Sequence, residues 1–263
     1  MGLIGLAHCV SHFYLLMLAP LLPVIRAEFD ASYTQIGLAL TALNLVSAVL
    51  QTPTGILVDR VSARGVLIGG LLLGAAALAG AAALSSFWAF VAMFALLGAA
   101  NTAYHPADYA LLSRHVPASR MGQAYSIHTF AGMVGSAAAP PGLLLLANAY
   151  GWRGAYLVSA ACGAAVALLL ILFGGVLSEP RQAESSTRPA KAEAAAAGDR
   201  GLLLSAPVLL NLAVFVLLAL MSGGLQNFSV AALAGLWGTP LGVANGGLAV
   251  YLTASALGVL AGG

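Results

Sequence analysis

Two histidines one helical turn apart, His8 and His12, stand inside a long apolar run near the start of the chain. Further along, Asn101, Tyr104, His105 and Asp108 recur at i, i+3, i+4 and i+7, the spacing of one helix face, and His128 follows in the next apolar stretch. Imidazoles change charge near neutral pH, so they suit the binding of a coupling proton. Histidines at i and i+4 also suit a metal ion, but the sequence aligns no further ligand with that pair, so no metal site is assigned. A buried, hydrogen-bonded pair facing other helices is expected instead. For His105 and Asp108 two readings stay open: they line an internal cavity, or they sit at a wet interface that ends an apolar span. Asn44 and Gln51, seven residues apart, share another helix face, and Gln226 and Asn227 lie on a later segment. Each of these amides could bond a solute or a neighbouring helix.

The elements that must hold these groups follow from composition. Of 263 residues, 61% are hydrophobic and 7% charged, where a soluble domain carries about 25% charged residues. So few charges cannot coat a water-facing surface, whereas a lipid-facing one needs none. The apolar stretches lack the period-two alternation of a barrel strand and are long enough for helices, so an all-α, polytopic membrane helix bundle is expected. Cys9 and Cys162 lie inside apolar runs and read as packing residues rather than a disulfide. There is no basic cluster for nucleic acid. No nucleotide-binding or nucleophile motif appears either, so neither enzymatic activity nor a cofactor is expected. The opening LIGLAHCVSHFYLLMLAPLLPVI is too long for a signal-peptide core and reads as the first span.

A hydrocarbon core of ~30 Å needs about 20 helical residues per crossing. Six spans fit at roughly 3–25, 35–58, 65–84, 87–112, 121–146 and 154–177. Residues 1–178 then form a six-helix N-terminal half, 179–203 a charged cytoplasmic linker, and 204–263 the start of a C-terminal half with spans near 204–230 and 240–263. With the N-terminus inside, Arg60, Arg64, Arg114, Arg120, Arg181, Arg188, Lys191 and Arg200 fall on inner segments, and only Arg26 and Arg153 fall outside. Leu40-Thr41-Ala42 aligns with Leu252-Thr253-Ala254 at the second span of each half, the pattern of a parallel repeat. On that repeat the chain is expected to be the first two-thirds of a longer protein.

Between the second and third spans, GILVDRVSAR resembles the cytoplasmic turn of the major facilitator superfamily. Gly55, Asp59, Arg60 and Arg64 match that pattern, while Ser62 and Ala63 replace a glycine and a basic residue. YGWRGAY at 150–156 is similar to the entry of span six in that family, and residues 104–142 resemble the span four to five region of fosmidomycin-resistance-type bacterial transporters. The resemblance implies a bundle of the major facilitator type in a bacterial inner membrane, with Gly55, Asp59, Arg60 and Arg64 gating it from the cytoplasm. It further implies a monomer that moves a small molecule by alternating access, as proton-coupled export of a drug-like or toxic compound. Alternatives are proton-coupled uptake of an organic anion, or a non-transporting membrane protein of the same fold. One departure is Phe94, which stands where drug antiporters of the family carry an arginine four residues before a glycine, here Gly98.

Overall fold

A computed structural model describes residues 1–177 and 205–262. Among them lie nine α-helices and no strand: α1 Gly2–Leu15, α2 Leu22–Glu28, α3 Tyr33–Arg60, α4 Ala63–Ala83, α5 Phe87–Asn101, α6 Tyr104–His115, α7 Met121–Phe173, α8 Ala206–Trp237 and α9 Leu241–Gly262. The expected all-α membrane bundle is what forms. Large apolar side chains such as Leu45, Val49, Leu145, Phe173 and Leu217 stand exposed around it, a surface suited to lipid. The linker expected at 179–203 lies outside the described residues.

Helix starts follow local chemistry. Ser32 opens α3 with a reciprocal capping box: Gln35 N donates to Ser32 Oγ at 3.1 Å, and Ser32 N donates to Gln35 Oε1 at 2.8 Å. Ser62 opens α4 by accepting from Gly65 N at 3.2 Å, which makes the turn after Arg60 tight.

Two expected spans are broken. The first divides into α1 and α2 around a short 3-10 turn at Ala19–Leu21, where Pro20 cannot continue an α-helix. Backbone carbonyls freed in a membrane interior need partners. Tyr156 Oη donates to Met17 O at 3.2 Å, and Asn245 Nδ2 from α9 donates to Pro20 O at 3.2 Å. The fourth span divides into α5 and α6 at Thr102 and Ala103. Pro106 accounts for this, because its missing N–H leaves the carbonyl four residues earlier, that of Thr102, without its helical partner.

Spans five and six run together as α7, 53 residues long. A straight helix of that length would reach about 80 Å, far beyond the ~30 Å hydrocarbon core. Gly151, at φ 72° and ψ 169°, interrupts it. Its two limbs fold back on each other, since Ala138, Gly142 and Leu145 of the first and Val158, Ser159 and Cys162 of the second line one cavity beside Cys9 and Tyr14. That region of φ/ψ space is open essentially to glycine alone. Gly151→Val should therefore lower stability by about 1–3 kcal/mol, read as a lower thermal midpoint in detergent with helix content retained. An unchanged midpoint would show that the turn tolerates a side chain.

Polar clips mark the two ends of the bundle. At one end Arg153 donates to Glu28 Oε1 at 2.7 Å, to Ala82 O at 2.5 Å and to Leu84 O at 3.1 Å, and Trp152 Nε1 donates to the other carboxylate oxygen of Glu28. At the other end Arg64 donates to Leu170 O at 2.8 Å and to Ile171 O at 2.9 Å, placing a cation at the C-terminus of α7. Arg64 and Arg153, which the Lys/Arg pattern assigns to opposite sides, thus sit at opposite ends of the second limb of α7.

Candidate functional site: a histidine and aspartate cluster

Gly132 and Gly135 on α7 decide how closely α1 can approach. A Cβ at Gly132 would lie 2.7 Å from His8 Nε2 and 2.9 Å from His12 Cδ2; one at Gly135 would overlap the backbone carbonyl of Cys9. Two small residues one turn apart therefore seat α1 against α7, as close helix pairs in membranes require. Both α1 histidines point into the space this creates.

There His8 meets His128 of α7 with rings stacked at 3.7 Å between centroids and tilted by 22°. His12 lies edge-on to His8 at 4.6 Å, and His105 of α6 edge-on to His8 at 5.2 Å. Asp108, one turn beyond His105, completes the group: its Oδ2 is 3.4 Å from His8 Nδ1 and 3.7 Å from His128 Nε2. Asp108 is fully buried, and His8 and His128 are each 2% exposed. Asp108 thus stands inside the helix packing rather than on the surface of the bundle. His105 is the open member of the set, and Tyr109 stands beside both it and His128 at 5.7 Å. His12 Nδ1 shares a hydrogen bond with Ser136 Oγ at 3.2 Å.

Three helices, α1 and the consecutive α6 and α7, thus bring four imidazoles and one carboxylate together inside an apolar bundle. Asp108 Oδ1 and Oδ2, His8 Nδ1, and both ring nitrogens of His128 are buried with no hydrogen-bond partner among the described residues. Buried polar atoms in proteins are almost always paired, and these are exceptions to that rule.

The other sequence candidates sit elsewhere. Asn101 points from the end of α5 towards α3, its Nδ2 at 3.5 Å from Ser47 Oγ, whose hydroxyl donates to Gly98 O at 2.9 Å. The break at Thr102 rotates it away from His105 and Asp108, so the four-residue face read from the spacing is not continuous. Tyr104 is buried with its hydroxyl beside Gly74 of α4. Asn44 and Asn227 each donate to a carbonyl of their own helix, those of Leu40 and Gly223 at 2.9 Å. Gln51 is half-buried on α3, outside the cluster.

In the turn, Asp59 and Arg60 are exposed and Arg64 reaches α7. A Cβ at Gly55 would meet no atom within 4 Å, so its close approach to another helix is not used among the described residues. Phe94 packs in the core against Phe90 at 4.7 Å between rings.

Ser136 and Tyr109 escaped the sequence reading. A hydroxyl inside an apolar helix two turns after His128 was the available signal for the first; for the second, adjacency to Asp108.

A family profile, that of the Major Facilitator Superfamily, matches residues 4–263. The chain is similar to the fosmidomycin resistance protein of Escherichia coli, 27% identical over 53% of this chain and 34% of that protein. It is also similar to the uncharacterized MFS-type transporter YfnC of Bacillus subtilis, 24% identical over 65% of this chain and 41% of that protein. A third relative is a probable sulfoacetate transporter, SauU, of Cupriavidus necator, 26% identical over 66% of this chain and 40% of that protein. The matches span between 34% and 41% of the length of these relatives.

Proposed function

For a chain that belongs to the Major Facilitator Superfamily, we propose secondary transport of a small organic solute by alternating access, with no enzymatic step. The observation that carries this reading is the cluster of His8, His12, His105, His128 and Asp108, with His8, His128 and Asp108 buried. A charged or strongly polar group in hydrocarbon costs a few kcal/mol, and an internal solute path gives such a group its reason. Alternating access suits that position, since carriers of this architecture bind between helices near the bilayer midplane.

Export of a drug-like compound coupled to protons is the finer reading, supported by similarity to the fosmidomycin resistance protein. The chain sits in a bacterial inner membrane with its N-terminus and the 59–64 turn facing the cytoplasm, as the Lys/Arg asymmetry favours. Gly55, Asp59, Arg60 and Arg64 gate it from that side, and it works as a monomer. Similarity to the sulfoacetate transporter favours a second reading, proton-coupled uptake of a small organic anion.

Both readings meet in one experiment. Vesicles of known orientation carrying the full-length protein are loaded with a panel of labelled solutes, and flux is followed with the pH gradient intact and then collapsed by an uncoupler. Solute leaving from the cytoplasmic face, and stopping with the uncoupler, is the expected result. Inward flux of anions alone would select the second reading. No flux of any solute would remove both.

A further inference from the structure

The distances inside the cluster are wrong for hydrogen bonds and right for something else. His8 Nδ1 and His128 Nε2 stand 3.4 Å and 3.7 Å from one oxygen of Asp108. Good N–H···O bonds fall at about 2.7–3.2 Å. The edge of a coordination tetrahedron with metal–ligand bonds of about 2.0–2.2 Å is close to 3.3–3.6 Å. His105 comes in through the other imidazoles: one ligand nitrogen from each of His8, His105 and His128 lies within 4.8 Å of the others, with Asp108 beside His8 and His128. On ligation the His8 and His128 rings must leave their 3.7 Å stack, because two imidazoles on one tetrahedral ion hold their ring centroids about 5 Å apart.

From this geometry we infer a binding site for one divalent transition-metal cation of the Zn2+ class, held by His8, His105, His128 and Asp108. Imidazole nitrogens select such ions over Mg2+ and Ca2+, which take oxygen ligands. One carboxylate offsets half of the ion's charge in a bundle that is otherwise apolar. His105 is the exposed ligand, so an ion can arrive from the cluster's open side. His12, bonded to Ser136 Oγ, packs edge-on against the His8 ring and limits its rotation. The pair His8 and His12, the metal pattern suggested by sequence spacing, is not the ligand pair; the ligands come from three helices. Bound there, the ion ties α1, α6 and α7 together.

The site lies on the proposed solute path, yet its occupancy does not depend on transport. The test uses the chain purified in detergent and stripped with a chelator. Zn2+ should bind at one ion per chain by calorimetric titration and raise the thermal midpoint, and Co2+ should give the visible absorption of a four-coordinate ion. His8→Ala and His128→Ala should each weaken Zn2+ at least about tenfold. His115→Ala should leave binding intact, because His115 is outside the cluster and bonds the carbonyl of Leu111 at 2.8 Å. Should either alanine variant fold poorly, X-ray absorption of the Zn2+-loaded unaltered chain decides alone. A first shell of nitrogen and oxygen with imidazole outer-shell scattering is expected. No Zn2+ uptake, a sulfur ligand from Cys9, or unchanged affinity in both variants overturns the inference. A chain that binds Zn2+ but moves no solute defeats the transport reading and leaves the site standing; a carrier that binds none does the reverse.

Discussion

One added methyl group at residue 135 should destabilise the bundle, while one at residue 69 should not. In Gly135→Ala the new Cβ lands on the backbone carbonyl of Cys9, with the carbonyl carbon at 2.8 Å. Backbone has no rotamer by which to retreat, so α1 must slide or tilt away from α7. That shift opens the His8–His128 stack and loosens the seat of His12. Overpacking of this kind costs about 1–3 kcal/mol, and more where the obstacle is rigid. At Gly69, in the middle of α4, a Cβ would meet nothing within 4 Å. There the substitution removes only the conformational freedom of glycine in a helix, a gain of up to about 1 kcal/mol. Thermal unfolding in detergent should show opposite signs for the two variants, with Gly135→Ala also reducing the amount of monodisperse protein. Equal midpoints would mean that the α1–α7 approach is looser than its glycines indicate.

How much of this was legible in the sequence depends on what each feature rests on. Spans were readable because hydrophobic length is a property of consecutive residues, and Lys and Arg sort by the water they meet. The break in span four was readable from Pro106, since a missing N–H acts locally. Gly151 was not, because glycines recur throughout these helices and only the fold shows that Gly151 and Gly238 are the ones with a positive φ. The cluster was half legible. His105 and Asp108 share a helical face, and His8 and His12 share another, but only packing brings α1, α6 and α7 together. Asn101 shows the opposite error. Its spacing places it on the face of Asp108 only if the helix is continuous, and Pro106 ensures that it is not. Arg64 was expected as part of a gating turn, and its bonds to Leu170 O and Ile171 O tie that turn to the end of α7.

Asp108→Asn should separate a structural polar group from one that transport requires. The amide keeps the shape of the carboxyl but not its charge, and it presents N–H donors to His8 and His128 in place of acceptor oxygens. Side-chain volume hardly changes, so packing around the fully buried residue is preserved. The thermal midpoint should stay near that of the unaltered protein. Hydrogen bonds and contacts to a charged group are worth about 1.5–3 kcal/mol, so a step that uses them should slow by about 10-fold to 100-fold. Initial flux in vesicles, normalised to the amount of inserted protein, measures that loss. Asn44→Ala supplies the contrast: its amide bonds its own helix through Leu40 O and lies outside the cluster, so flux should change little. Were Asp108→Asn to transport at the full rate with an unchanged midpoint, the carboxylate would be a passenger in the bundle, and the solute path would have to run elsewhere.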